Sequence, residues 1–228
     1  MDMVEKYKDL GIRGLLEKIF FNLKKFFLRL WYMNRFCTSG KSLVFEGMLD
    51  LRGGKGIKLG NNIVFGKNVK LHCHENSKII IGDGCYIGEN VLIGSHKNIL
   101  IGDNSKIHEN TIIAGIEVKL GKNVWVSRYC SVLGTDISIG DDCILAPFVS
   151  ILDTDHYIED DTGRITMDAG RTAPVKVGEN VWMCNGSKIL KGVSIGTGAI
   201  IAAGAVVTKD ISDGFVAVGV PAMEIKRK

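Results

Sequence analysis

The sequence predicts an all-β solenoid, a three-sided prism of stacked coils with a helical appendage. Three observations predict it. From Leu59 to Val207 an aliphatic or similarly apolar residue recurs every six positions, in triplets. The triplets begin Leu59, Phe65, Leu71, then Ile81, Ile87, Ile93, and end Ile195, Ile201, Val207. Extra residues enter only after the third beat of a triplet, as between Ile113 and Leu120 or Ile151 and Val177. Neither a helix (period 3.6) nor a lone strand (period 2) gives this beat, and a fixed repeat marks a solenoid. Coils of roughly 18 residues, about seven of them, would have three flat faces and bulge at one corner.

Residues 15–31 follow a different period. Leu15, Leu16, Ile19, Phe20, Leu23, Phe26, Phe27, Leu30 and Trp31 fall at helical spacing, with Lys18, Lys24, Lys25 and Arg29 off that stripe. No acidic residue occurs between Glu17 and Glu46. This basic amphipathic helix is expected either to pack on the solenoid end or a neighbouring subunit, or to lie on a membrane surface through residues 15–36. Thr38 to Lys55 reads as a transition with irregular first coils. The organisation expected is a helical segment over 1–40, a repeat domain over 41–222 with a protruding loop at 152–174, and a basic tail over 223–228.

Within the repeats, a small or thiol side chain sits four residues after many beats: Cys85, Cys130, Cys143, Ser187 and Ala205. A narrow prism needs such a residue inward beside a large one. Gly follows the beat at Gly82, Gly102, Gly121, Gly140 and Gly178, which suits a bending backbone; Asp83, Asn123, Asp141 and Asn180 tolerate turn dihedrals.

Composition agrees with one main domain. The chain is 46% hydrophobic but only 7% aromatic, as an axial aliphatic core requires. A net charge of +4 is too mild to indicate nucleic acid. Six Cys without a CxxC pair read as packed thiols in a reducing cytoplasm. No cleavable signal and no uncharged run of transmembrane length is apparent, so a cytoplasmic protein is expected, peripheral at the inner face of the membrane if the helix meets lipid.

The insertion at 152–174 is far longer than a corner needs, and long loops on rigid scaffolds carry sites. His156 lies near its start. Acyl transfer from a thioester to a hydroxyl needs a base titrating near neutral pH, and imidazole supplies it. Asp153, Asp155 or a backbone carbonyl could hold its other nitrogen; the two carboxylates are also candidates to touch the acceptor. His72 and His74, flanking Cys73, are read as incidental to metal binding, and His96 and His108 have no partner motif. No metal is expected.

The pattern [LIV]-[GA]-x-x-[STACV]-x repeated over residues 57–222 resembles the hexapeptide-repeat acyltransferases. Asp153-Thr154-Asp155-His156, the loop after it, Asn180-Val181-Trp182, and the closing Gly219-Val220-Pro221-Ala222 are similar to sugar and polysaccharide O-acetyltransferases of the galactoside, maltose and lipopolysaccharide branch. The resemblance implies a left-handed parallel β-helix, a homotrimer, and acetyl-CoA as acyl donor. It implies His156 as catalytic base and Trp182, Asn185, Ala203, Thr208, Lys209 and Lys226 as coenzyme contacts. It also implies a sugar hydroxyl in surface polysaccharide or its precursor as acceptor. Two departures stand out. Met223 replaces the first of two family Arg residues, with Lys226 at the second. Ser127 and Arg128 stand where galactoside-type enzymes place a sugar-contacting Asn, which disfavours a simple galactoside. An amine of a nucleotide-linked amino sugar, or another small acceptor, is the alternative. A carbonic-anhydrase-like or purely structural solenoid is disfavoured by the missing His triad and by the loop. Exposed Trp125 and Trp182 on flat walls are a physical reason to trimerise.

Overall fold

The computed structural model describes residues 12–32, 34–159 and 162–226. Residues 1–11, Met33, Asp160, Asp161 and the tail residues Arg227 and Lys228 lie outside the described residues, as do the side chains of Ile12, Arg13, Leu15, Lys18, Met167, Asp168 and Ala169. One helix, α1 (Ile12–Tyr32), leads into a parallel β-solenoid of about nine turns.

Like strands of successive turns pair in register and build three walls. The first runs through Leu59, Ile81, Ile101, Leu120, Ile139, Val177 and Ile195. The second runs from Phe45 and Phe65 through Ile87, Ile107, Val126, Leu145, Met183 and Ile201 to Ala217. The third runs from Leu51 and Leu71 through Ile93, Ile113, Val132 and Ile151 to Ile189 and Val207. The six-residue beat is this register seen along the chain. Its residues point inward and are buried. Each large side chain so sealed contributes about 1.5–3 kcal/mol, so the core is a sum of similar layers.

About seven coils were expected, and the solenoid has about nine. Thr38–Ser39, Val44–Phe45 and Asp50–Arg52 are strands in register with the next turn, so the supposed transition is itself a turn. At the far end Ile211 bridges Ile195, and Val216–Gly219 pairs with Ile200–Ile201.

The first turn is closed by an aromatic plug. Tyr32 lies 5.0 Å from Phe45 between ring centroids, and Phe45 stacks on Phe65 at 5.3 Å. The Tyr32 hydroxyl accepts from the Leu49 amide at 2.9 Å. Of α1, Leu28 and Tyr32 are buried, and neither belongs to the stripe seen in the sequence. The stripe itself, from Leu16 to Trp31, is exposed, so within this chain it does not pack on the solenoid end.

The corner glycines have a different cause from the one expected. A Cβ on Gly102 would lie 2.4 Å from the Gly121 carbonyl oxygen, so Gly is demanded by the next coil, not by its own dihedrals. Positive φ falls two residues later, at Asn104, Asn123, Asp142 and Asn180. Asp83 and Asp141 serve instead through their carboxylates, which accept from the Asn61 and Lys122 amides. Gly102→Ala is therefore expected to destabilise by about 1–3 kcal/mol, the cost of overpacking, measured as a lower urea midpoint. An unchanged midpoint would refute the close-approach account.

Cys85, Cys130, Cys143, Ser187 and Ala205 fill the small inward slot as expected. Burial pushes the thiols of Cys85, Cys130 and Cys143 up to about 11, so they stay protonated. All six cysteines are free.

Candidate active site

The bulging corner joins the third wall to the first. Several turns cross it as continuous strands: Leu92–Ile101, Ile112–Leu120 and Ser131–Ile139. After Ile151 the chain leaves the prism instead and forms an antiparallel hairpin of Thr154–Ile158 and Ile165–Thr172. The protruding segment is thus a two-stranded ribbon, not an irregular loop.

Asp153 anchors its base. The side chain is fully buried. Its carboxylate accepts from the Thr135 amide at 2.7 Å, the Thr135 hydroxyl at 3.1 Å and the Asp136 amide at 2.6 Å. It packs where Gly134 has no side chain: a Cβ there would stand 2.3 Å from an Asp153 oxygen. The Asp153 carbonyl accepts from Ala173 at 3.0 Å, and the Ala173 carbonyl from Gly192 at 2.9 Å, which closes the ribbon onto the next turn. Asp153 is consumed by this corner and faces neither His156 nor solvent.

His156 is exposed on the outgoing strand, opposite Ala169. The Asp155 carboxylate pairs with the Lys191 ammonium. Asp155, His156, Tyr157, Ile158, Arg171 and Lys191 line one open cavity of about 360 Å³. Neither aspartate named in the sequence reading is a partner of the imidazole.

Arg171 and Lys191 were not singled out from sequence, although the beat contains the signal for Lys191. It follows Ile189 by two residues as Asp153 follows Ile151, and Ile151 pairs with Ile189. Thr208 and Lys209 extend the same edge one turn further, after Val207. Asn185 and Ala203 lie on another edge, after the second wall, with the Asn185 carbonyl accepting from Gly204 at 2.9 Å. Ser127 and Arg128 share that second edge, and Arg128 binds Glu109 at 2.6 Å, which holds the Glu109 carboxyl below its usual range. Trp182 stands exposed on the second wall between Ile144 and Ile200. Lys226 is exposed beyond the closing hairpin of Val216–Gly219 and Ala222–Ile225. Within one chain, then, His156, Asp155, Thr208 and Lys209 share an edge that Asn185, Ala203, Ser127 and Arg128 do not.

The other histidines have partners of their own. His72 bonds Asp50 at 2.8 Å, and hydrogen bonding from His72 is the main cause of a lowered Asp50 carboxyl. His74 and His96 stack at 4.0 Å, because Cys73 pairs with Ser95 and the residues after them stay in register. His108 packs at 4.6 Å from Trp125, and burial lowers its pKa. Among the described residues no group of three or more His, Cys, Asp or Glu is placed to hold a metal ion.

Residues 174–209 match the bacterial transferase hexapeptide family (six repeats), and residues 78–114 the hexapeptide repeat of succinyl-transferase. A proposed acetyltransferase of Saccharomyces cerevisiae is 36% identical over 131 residues, 57% of this chain and 56% of its own. The galactoside O-acetyltransferase of Lactococcus lactis is 52% identical over 54 residues, 24% of this chain and 26% of its own. Among solved structures, a hexapeptide-repeat acetyltransferase of Vibrio cholerae complexed with acetyl coenzyme A is 21% identical. That alignment covers 63% of this chain and 70% of that one at a TM-score of 0.39. The chain spans from 26% to 58% of the length of the curated relatives it matches.

Proposed function

The chain belongs to the hexapeptide-repeat acetyltransferase family, and from that premise we propose that it transfers an acetyl group from acetyl-CoA to a sugar hydroxyl in a surface polysaccharide or its precursor. The observation that carries this reading is the anchored ribbon, which holds one exposed imidazole above an edge with Arg171 and Lys191 around it.

In this reading one ring nitrogen of His156 takes the acceptor hydroxyl proton. The alkoxide oxygen bonds to the thioester carbonyl carbon, and the oxyanion that forms needs a nearby donor such as a backbone N–H. The carbon–sulfur bond then breaks, and the proton returns from the imidazolium to the departing thiolate. Trp182, Asn185, Ala203, Thr208, Lys209 and Lys226 hold the coenzyme, and Ser127, Arg128, Asp153 and Asp155 serve the acceptor side. Asp153 does so as a positioning residue, since its carboxylate is buried. Arg171 and Lys191 suit an acceptor with anionic groups.

Because the coenzyme residues divide between two edges of one prism, a complete site calls for edges from two chains. That supports a homotrimer, as does the apolar column Trp125, Ile144 and Trp182 exposed along the second wall.

The test is thermal stability against acetyl-CoA. A ligand at about 100 times its dissociation constant adds about 2.7 kcal/mol, so a saturable rise in Tm is expected. No rise at millimolar acetyl-CoA would overturn the donor assignment. An acetylated product that survives mild alkali would be an amide and would overturn O-transfer in favour of an amino-sugar acceptor.

A further inference from the structure

Helix α1 carries two apolar surfaces, and among the described residues only one has a partner. At 100° per residue, Leu28 and Tyr32 project within about 40° of each other, and these are the side chains buried on the solenoid end. Leu16, Ile19, Phe20, Leu23, Phe26, Phe27, Leu30 and Trp31 occupy a separate arc of about 140°. All of them are exposed, Phe20 at 72% and Phe27 at 63%. Met48 of the first turn, itself exposed, extends this surface across a groove of about 850 Å³ between helix and solenoid.

We infer that this arc is a membrane-surface anchor that lies in the headgroup region of an anionic bilayer. Three features on the molecule select that occupant. The arc is far broader than the narrow seam of a helix pair, and its aromatic residues suit the interfacial zone. Around it Lys24, Arg29 and Arg35 are cationic, and Glu17, about 20° beyond Lys24, is the one acidic residue of the helix. Lys24 borders one side and Arg29 lies beyond the other, while Arg35 stacks on Trp31 at 4.4 Å. No acidic residue lies between Glu17 and Glu46 in the sequence. A second copy packed arc to arc would therefore bring Lys24, Arg29 and Arg35 against the same cations with only Glu17 of the helix to answer them, whereas anionic headgroups neutralise all of these charges. Finally, no helix among the described residues is long and apolar enough to cross a membrane, so the helix lies on the surface rather than through it. The inference does not depend on the proposed acetyl transfer.

The test is co-sedimentation of the full chain with vesicles of phosphatidylcholine alone, and of phosphatidylcholine with phosphatidylglycerol. Binding is expected to the anionic vesicles, at least tenfold stronger than to the zwitterionic ones, and to weaken as salt rises. Leu23→Glu with Phe27→Glu alters only exposed positions and should weaken binding at least tenfold while far-UV circular dichroism is retained. Lys24→Glu with Arg29→Glu should abolish the preference for anionic lipid. Trp31 fluorescence should shift to the blue on binding, and the part of the shift lost in Trp31→Phe isolates this residue. Equal sedimentation of wild type and Leu23→Glu/Phe27→Glu would overturn the inference. So would an absence of binding by wild type together with a smaller oligomer for that variant in light scattering, which would make the arc a contact between copies.

Discussion

His156→Ala is expected to lower the acetyl-transfer rate by about 10²–10⁴-fold, the usual worth of a general base. The rise in Tm with acetyl-CoA should remain within a few fold in apparent affinity. The two outcomes separate because of where the residue stands. Its side chain is exposed, and no hydrogen bond or ion pair ties it to the described residues, so its removal leaves the ribbon intact. The ribbon is held from below by Asp153 and from the side by Asp155 with Lys191. The variant should therefore fold, bind donor, and fail only at deprotonating the acceptor. Single-turnover transfer to a sugar acceptor is the measurement. A rate within threefold of wild type would remove His156 from the base role without touching the donor assignment.

How much of this was legible in sequence depends on how local the cause is. Wall registers were fully legible, because a period of six is a statement about inward positions, and Ile87, Ile107 and Val126 are each buried as the beat requires. The first turn was not, although Ser39, Phe45 and Leu51 keep the same spacing. Its corner carries Arg52, Gly53, Gly54 and Lys55, which look like a linker when no neighbouring coil is in view. The seat of α1 was also hidden. The strongest periodic stripe suggested the buried face, but the solenoid end takes Leu28 and Tyr32, with the tyrosine ring against Phe45 and its hydroxyl on the Leu49 backbone. At the site, a single histidine before a long insertion was visible from chemistry alone. Its neighbour Arg171 was not, since it arrives by hairpin pairing; Lys191 arrives by stacking of turns, and its place two residues past Ile189 was the signal for it. The same stacking sets His74 on His96 across 22 residues of sequence, each three residues past a beat.

Asp153→Ala is expected to cost about 3–5 kcal/mol and to lower transfer as well, although the residue touches no reactant. The wild-type carboxylate satisfies two backbone amides and one hydroxyl at the preceding corner from a fully buried position. Truncation leaves the Thr135 and Asp136 amides facing an empty space. Each orphaned buried donor costs about 1–3 kcal/mol, and bonds to a charged acceptor lie at the upper end. Asp153→Asn keeps the shape and one accepting oxygen but turns an amide donor toward those N–H groups. It should therefore fall between wild type and alanine, not beside wild type. Hydrogen exchange places the loss: the Thr135 and Asp136 amides should exchange faster in both variants, and protection at the second-wall strands Ile144–Leu145 and Trp182–Met183 should persist, because each turn contacts mainly its neighbours. Once the base of the ribbon loosens, His156 samples more positions above the edge, and a displacement of about 1 Å is enough to cost 10²-fold in rate. The acetyl-CoA-induced rise in Tm should survive, because Thr208 and Lys209 lie two turns beyond the lesion. A variant with unchanged exchange at Thr135 and Asp136 would refute the anchor. Faster exchange there with an undiminished rate would show that the ribbon holds its histidine without help from the corner.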